Sequence, residues 1–142
     1  MADDGPPAER IVERSIEYSL RIVKLYRALA KEPVGKVLGE QLLRSATSVG
    51  ANVHEAQAGQ SKADFVAKMS IAHKEARESV YWLELIRRSE LLPAAQLTSI
   101  CDEARQLVRI LGSIILTAKR SKSATNSSPP AQQPTRQPTH AR

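Results

Sequence analysis

Residues 61–88 read SKADFVAKMSIAHKEARESVYWLELIRR. In this stretch Phe65, Met69, Ala72, Ala76, Ser79, Leu83 and Ile86 recur at alternating steps of four and three, the spacing of a coiled-coil-like seam on an α-helix. Ser61 can cap that helix, with Asp64 as a weaker capping-box partner. The same steps continue on either side. Toward the C-terminus they run through Leu97, Ile100, Ala104, Leu107, Leu111, Ile114 and Ala118. Toward the N-terminus they run through Leu38, Leu42, Ser45, Val49, Asn52 and Ala56, and before that through Val12, Ile16, Ser19, Val23, Tyr26 and Ala30. Three breaks separate the periodic segments: Glu32-Pro33-Val34-Gly35, Ala58-Gly59-Gln60-Ser61 and Leu92-Pro93. Four amphipathic helices with short connections predict an all-α, antiparallel up-down-up-down four-helix bundle.

Composition agrees. The 142 residues suit a single domain, and aromatics make up only 4% of a chain that is 42% hydrophobic, so the helices must pack through aliphatic side chains. Residues 1–8, with Gly5-Pro6-Pro7, read as a disordered lead. Residues 9–120 read as the bundle, and 121–142, rich in Pro, Ser, Thr and Gln, as a disordered basic tail. From Lys119 onward the chain carries Lys119, Arg120, Lys122, Arg136 and Arg142 with no acid, so most of the formal net charge of +6 lies there. No apolar run reaches the roughly 18 residues of a membrane span, and the acidic Met1-Ala2-Asp3-Asp4 is unlike a secretory signal; both point to a cytoplasmic protein with no membrane partner.

Beside its seam the first helix carries a second apolar stripe of Ile11, Ile22, Leu25 and Leu29, and the fourth carries Leu97, Cys101, Val108 and Ile115. Such stripes either widen the core face or bury against other copies of the chain. The second reading, taken here, predicts a closed homo-oligomer with Leu25 and Val108 in its interfaces. Trp82, one position from the seam residue Leu83, is a further candidate interface anchor.

The motifs of common chemistry are missing. Ala51 and Ser70 stand three residues before His54 and His73, so the Glu-x-x-His pairs of a di-iron bundle do not occur. There is no His-Glu-x-x-His, no Cys-x-x-Cys, no phosphate-cradling Gly-rich loop and no nucleophile turn. His54 beside Glu55, and His73 near Glu75, point in different directions on a helix and do not make a metal site. The lone Cys101 reads as a small core residue. The sequence therefore predicts a non-enzymatic protein without cofactor or metal. Arg44, Asn52, Lys68 and Glu75, with Ser45, Ser48 and Glu78, lie at or beside the seam and are expected to form a core polar network of paired charges that fixes helix register.

These residues also carry a family resemblance. The blocks RSATSVGANVHEAQ at 44–57, SKADF at 61–65 with Lys68, and ARESVYWL at 76–83 resemble the bacterial four helix bundle proteins, also called the intervening-sequence or S23-like group. That group is encoded within large-subunit ribosomal RNA genes or elsewhere in bacterial genomes, and it includes the accessory variability protein of diversity-generating retroelements. The resemblance spans roughly residues 11–119. It implies an antiparallel four-helix protomer, a barrel-like homopentamer and, for the retroelement branch, binding to nucleic acid and to a reverse transcriptase.

A basic surface gives that implication a place. On helix one the face opposite the seam reads Arg10, Arg14, Glu17, Arg21, Lys24, Ala28, Lys31, and on helix three Lys74, Arg77, Tyr81 and Arg88 share an outer face with Glu84 beside them. Repeated around a ring, these stripes form a field that attracts phosphate. Arg14, Arg21, Lys24, Arg77 and Arg88 are thus the candidate contacts to RNA or DNA, through backbone phosphates because no groove-reading motif is present. The expected function is a nucleic-acid-associated scaffold or retroelement accessory protein. The alternative is a protein-interaction hub that does not bind nucleic acid.

Overall fold

Helices begin where the sequence supplies a cap. The Glu32 backbone is extended, its carboxylate accepts a hydrogen bond from the Gly35 amide at 2.8 Å, and Pro33 fills the first helical position, where its missing N–H is of no consequence. Ser61 accepts from the Asp64 amide at 3.1 Å in the same way. The computed structural model, which describes Gly5 and residues 7–125, accordingly contains α1 (Pro7–Leu29), α2 (Pro33–Gln57), α3 (Lys62–Arg88), a single 3-10 turn (Ala94–Gln96) and α4 (Thr98–Thr125), with no strand among the described residues. Beyond α3, Glu90 takes a left-handed conformation, φ 56°, that turns the chain out of the helix. α1 begins inside the stretch read as a lead, and α4 runs five residues past the expected end of the bundle at residue 120. Residues 126–142 and most of 1–6 lie outside the described residues.

Three of the four seams are the ones the periodicity marks. Met69, Ala72, Ala76, Ser79, Leu83 and Ile86 are buried on α3; Leu97, Ile100, Ala104, Leu107 and Leu111 face them from α4 and the turn before it. On α2 the buried set includes Leu42, Ser45, Val49 and Ala56, widened by Gly35, Gly39, Ala46 and Val53. Those small residues let α1 come close. A Cβ on Gly35 would collide with the Leu29 carbonyl oxygen, and one on Gly39 would lie 2.9 Å from the Tyr26 ring.

On α1 the seam expectation is corrected. Its buried residues are Ile11, Ser15, Tyr18, Ile22 and Leu29, whereas Ile16 is 44% and Leu20 62% exposed. The helix is rotated by about one residue, or ~100°, from the frame that the Val12–Ala30 series implied. The supposed flank is the core, and the supposed seam lies toward the outside.

Partners along the helices pair in opposing order. Ser19 reaches the Ala46 carbonyl and Tyr26 reaches Glu40 between α1 and α2. Arg44 meets Glu75 and Glu78, while Lys68 meets Glu55, between α2 and α3. Arg105 meets Glu84, and Lys62 meets Ser121, between α3 and α4. α1 and α4 pack far less closely, and between them lies a cleft of about 520 Å³ with Ile11, Tyr18, Ile110 and Ile114 in its walls.

Tyr18 crosses the core. Its hydroxyl donates to Ser79 Oγ at 2.8 Å, and Ser79 donates onward to the Ala76 carbonyl at 2.7 Å. Burial pushes the phenol up to about 12, against the opposing effect of the Ser79 bond. Unfolded tyrosine ionises near pH 10, so between about pH 10 and 12 the unfolded state releases a proton that the folded state keeps. The Tyr18 contribution is therefore complete below pH 10 and falls, by on the order of 2–3 kcal/mol, as pH rises through that window. Tyr18→Phe should cost about 1 kcal/mol at neutral pH yet lose less stability than the parent on going to roughly pH 11. Urea denaturation of both proteins at the two pH values checks this. Equal losses would mean that another group governs the alkaline limb.

Candidate nucleic-acid interface

The rotation of α1 changes what its basic residues do. Ile11, Tyr18 and Ile22 point into the core, so Arg14 lies beside them and turns toward α4. Its Nε donates to Glu103 Oε1 at 2.7 Å, and its Nη2 to Gln106 Oε1 at 2.7 Å. Arg14 is thus a strap across the cleft, and its expected place on an outward phosphate-binding stripe is corrected. Arg21, two turns further along the same stripe, donates to Ser99 Oγ at 2.9 Å and has no acidic partner among the described residues. Lys24 is exposed and, with Arg21, Leu25 and Ile100, lines a hollow of about 460 Å³ at the other end of the α1–α4 seam.

The two residues proposed on α3 behave differently from each other. Arg88 is held by Glu84 at 2.9 Å. The hydrogen bonds from Arg87 and Arg88 hold the Glu84 carboxyl at about 2, well below the usual carboxylate range, so it remains a full counter-charge across the working pH range. Arg88 is therefore paired, although it shares the single Glu84 charge with Arg87. Arg77 is exposed without an acidic partner among the described residues, and it lines a groove of about 310 Å³ between α3 and α4 with Val80, Arg105, Val108 and Arg109. Arg105 approaches Glu84 only to 3.6 Å and Asp102 to 3.9 Å, and Arg109 has no acidic partner among the described residues. Sequence reasoning missed Arg105 and Arg109. The signal that could have found them is their i,i+4 spacing about Val108, on the flank of α4 that faces Arg77.

The core polar network is also corrected. Arg44 does pair with Glu75 and Glu78, but its side chain is 51% exposed, and Lys68 pairs with Glu55 at 2.9 Å with both groups well exposed. Asn52 binds its own helix, donating to the Ser48 carbonyl at 2.8 Å. Long charged side chains keep their heads in water while small residues close the α2–α3 seam beneath them, so the ion pairs rim the core without entering it. Leu25, Trp82 and Val108, expected in oligomer interfaces, are each partly buried against the core of their own protomer. The Trp82 ring meets Tyr81 edge-on at 4.9 Å, and its indole N–H is buried without an acceptor among the described residues.

Among the described residues no three His, Cys, Asp or Glu side chains gather where they could hold a metal ion. No described helix is long and apolar enough to cross a membrane. Residues 9–113, from the first turns of α1 to the middle of α4, match the model of the 23S rRNA-intervening sequence protein family. The chain belongs to that family. A crystal structure of a protein with unknown function from the S23 ribosomal protein family of Bacteroides thetaiotaomicron is similar, with 45% identity and a TM-score of 0.70 over 74% of this chain and 97% of that one. No curated protein matches the chain. The part shared with the intervening-sequence family contains both the Arg14 strap and the Arg77, Arg105 and Arg109 groove.

The strap has a measurable consequence. Arg14 and Glu103 are mostly shielded, at 36% and 21% side-chain exposure. Arg14→Gln should therefore cost about 1 kcal/mol, the upper end for surface pairs. Arg21→Gln should cost less than about 0.5 kcal/mol. A double-mutant cycle of Arg14→Gln with Glu103→Gln in denaturant checks this. A coupling near zero would return Arg14 to the free basic stripe.

Proposed function

We propose that the chain is a non-enzymatic scaffold whose up-down-up-down protomers assemble into a ring, favouring a pentamer, and that the ring holds nucleic acid through its phosphates. Arg21, Lys24 and Arg77 carry the nucleic-acid reading. They are exposed cations without acidic partners among the described residues, and they flank α4 on its two sides. The opposing order of the interhelix partners supports the up-down path. The family name refers to the intervening sequences in which such proteins are encoded, while the name of the structural neighbour's family, which refers to a ribosomal protein, favours RNA as the ligand. The resemblance to retroelement accessory proteins extends the reading to a reverse transcriptase as a protein partner.

Exposed apolar side chains support assembly. A ring closed by head-to-tail contacts needs two different sticky surfaces on each subunit. Ile16 and Leu20 supply one on the outside of α1, while Val34, Val37, Ile71 and Tyr81 supply exposed apolar surface on α2 and α3. Leu20→Lys should dissociate the ring, because it places a charge in a desolvated contact, and should leave the helicity of the protomer intact. Native mass spectrometry at micromolar protein tests this, and a monomeric parent would overturn the assembly.

Nucleic-acid binding is tested on the parent and on the Arg21→Gln, Lys24→Gln, Arg77→Gln triple variant across a salt series. Affinity should fall for all sequences alike. The slope of log affinity against log salt should flatten by roughly 0.7 to 0.9 for each phosphate that the variant no longer neutralises. An unchanged slope would make these residues a solvated face and leave the exposed apolar surfaces as the functional ones, which is the hub reading.

A further inference from the structure

The groove between α3 and α4 has a composition that a plain phosphate-binding surface does not require. Three guanidiniums, Arg77 from α3 and Arg105 and Arg109 from α4, surround a floor of two valines, Val80 and Val108, and no acidic residue is among its five lining residues. Arg105 is met from outside the groove by Glu84 and Asp102, whereas Arg77 and Arg109 have no acidic partner among the described residues, so the groove keeps a positive charge that a bound anion would offset. At about 310 Å³ the groove lies at the lower end of the roughly 300–1,000 Å³ typical of ligand pockets. A duplex offers only its phosphates to such a surface, because its bases are stacked inside, and would leave the valine floor without a partner. A single strand offers phosphates together with unstacked bases, whose faces stack on guanidinium planes and rest on apolar side chains. His73 is not among the lining residues but interacts with two of them, Arg77 and Val108. Burial and the Arg77 charge hold its pKa below the ordinary histidine value, against the Val108 carbonyl, so the ring is neutral at physiological pH and adds no positive charge of its own.

We infer that the Arg77, Arg105 and Arg109 groove is a single-strand site, seating a phosphate between the guanidiniums and an unstacked base against Val80 and Val108. The inference rests on the nucleic-acid reading above and names the form of nucleic acid and the place where it is held. Arg109 belongs to no ion pair among the described residues and lies on the exposed side of α4, so its replacement tests the site without disturbing the fold.

The probes are a labelled oligothymidylate and a duplex of equal length, bound at low salt to the parent, to Arg109→Gln and to Arg105→Gln with Arg109→Gln. Binding is followed by anisotropy and by the imidazole NMR resonances of His73, with the exposed His54 on α2 as internal control. Oligothymidylate should move the His73 resonances and not those of His54. Arg109→Gln should weaken it roughly tenfold, and the duplex should compete poorly. Parent and variants binding the strand equally, with His73 unmoved, would overturn the groove and leave nucleic-acid binding elsewhere on the ring intact. A duplex that binds as tightly and shifts His73 as far would overturn the single-strand assignment. A parent that binds neither probe would remove both this inference and the function on which it rests.

Discussion

A buried phenol must keep its hydroxyl paired, and in this chain that requirement is met at one place, where Tyr18 donates to Ser79 across the core. Leaving such a hydroxyl without a partner in the interior costs on the order of 1–3 kcal/mol, comparable to a full turn of favourable side-chain packing. The bond joins α1 to α3, which are not sequential neighbours, and fixes the angle at which α1 sits on the other three helices. Ile11, Ile22 and Leu29 then fall into the core with Tyr18. Ser15 turns inward beside Gly50 of α2, and Tyr26 packs where Gly39 leaves room for its ring. The small-residue face of α2 and the phenol of α1 are thus two halves of one fit.

The same rotation distributes the charge. With Tyr18 inward, Arg14 meets Glu103 and is consumed in holding α1 to α4, whereas Arg21 reaches only a serine hydroxyl. On α3 the carboxylate of Glu84 gathers Arg87, Arg88 and, at longer range, Arg105. Counting basic residues along a helix therefore overstates the positive surface. Among the described residues, those left without acidic partners include Arg21 and Lys24 beside one flank of α4 and Arg77 beside the other, together with Arg109 of α4 itself.

The sequence carried most of the architecture. The seams of α2, α3 and α4 are legible because each of those helices has one dominant apolar series, bounded by Pro33, Ser61 and Pro93. α1 is different. Its residues Ile11, Ser15, Tyr18, Ile22, Leu25 and Leu29 and its residues Val12, Ile16, Ser19, Val23, Tyr26 and Ala30 are two near-copies of one pattern shifted by a single position, each with a serine and a tyrosine. Periodicity cannot choose between them, and the charged residues centre on a direction opposite the space between the two stripes. Only the tertiary partners decide: Ser79 for the Tyr18 hydroxyl, and Gly39 for the edge of the Tyr26 ring. The candidate residues inherit that ambiguity. Arg14 departs from the Val12 frame because the helix does, and Arg105 and Arg109 carry no signal of their own because a groove made by two helices leaves no motif on either.

A helix with two apolar stripes about 100° apart can bury only one fully within its own bundle, and the second then lies on the flank, partly covered and partly in water. In α1 this leaves Ile16 and Leu20 in water on the side away from Tyr18, while the unpaired cations lie nearer α4. Arg14 and Arg21 therefore stand apart from the exposed apolar surface, whereas Lys24, four residues from Leu20, borders it; the separation would be lost had the Val12 stripe been buried. In that frame Arg14, Arg21 and Lys24 would share the outside with Ile11, Ile22 and Leu29, and any contact made through those apolar residues would have to desolvate the guanidiniums beside them, at a cost of several kcal/mol per ion. Burying the Tyr18 stripe removes that conflict for Arg14 and Arg21. One surface of the protomer can be covered by protein while the flanks of α4 stay open to an anionic ligand.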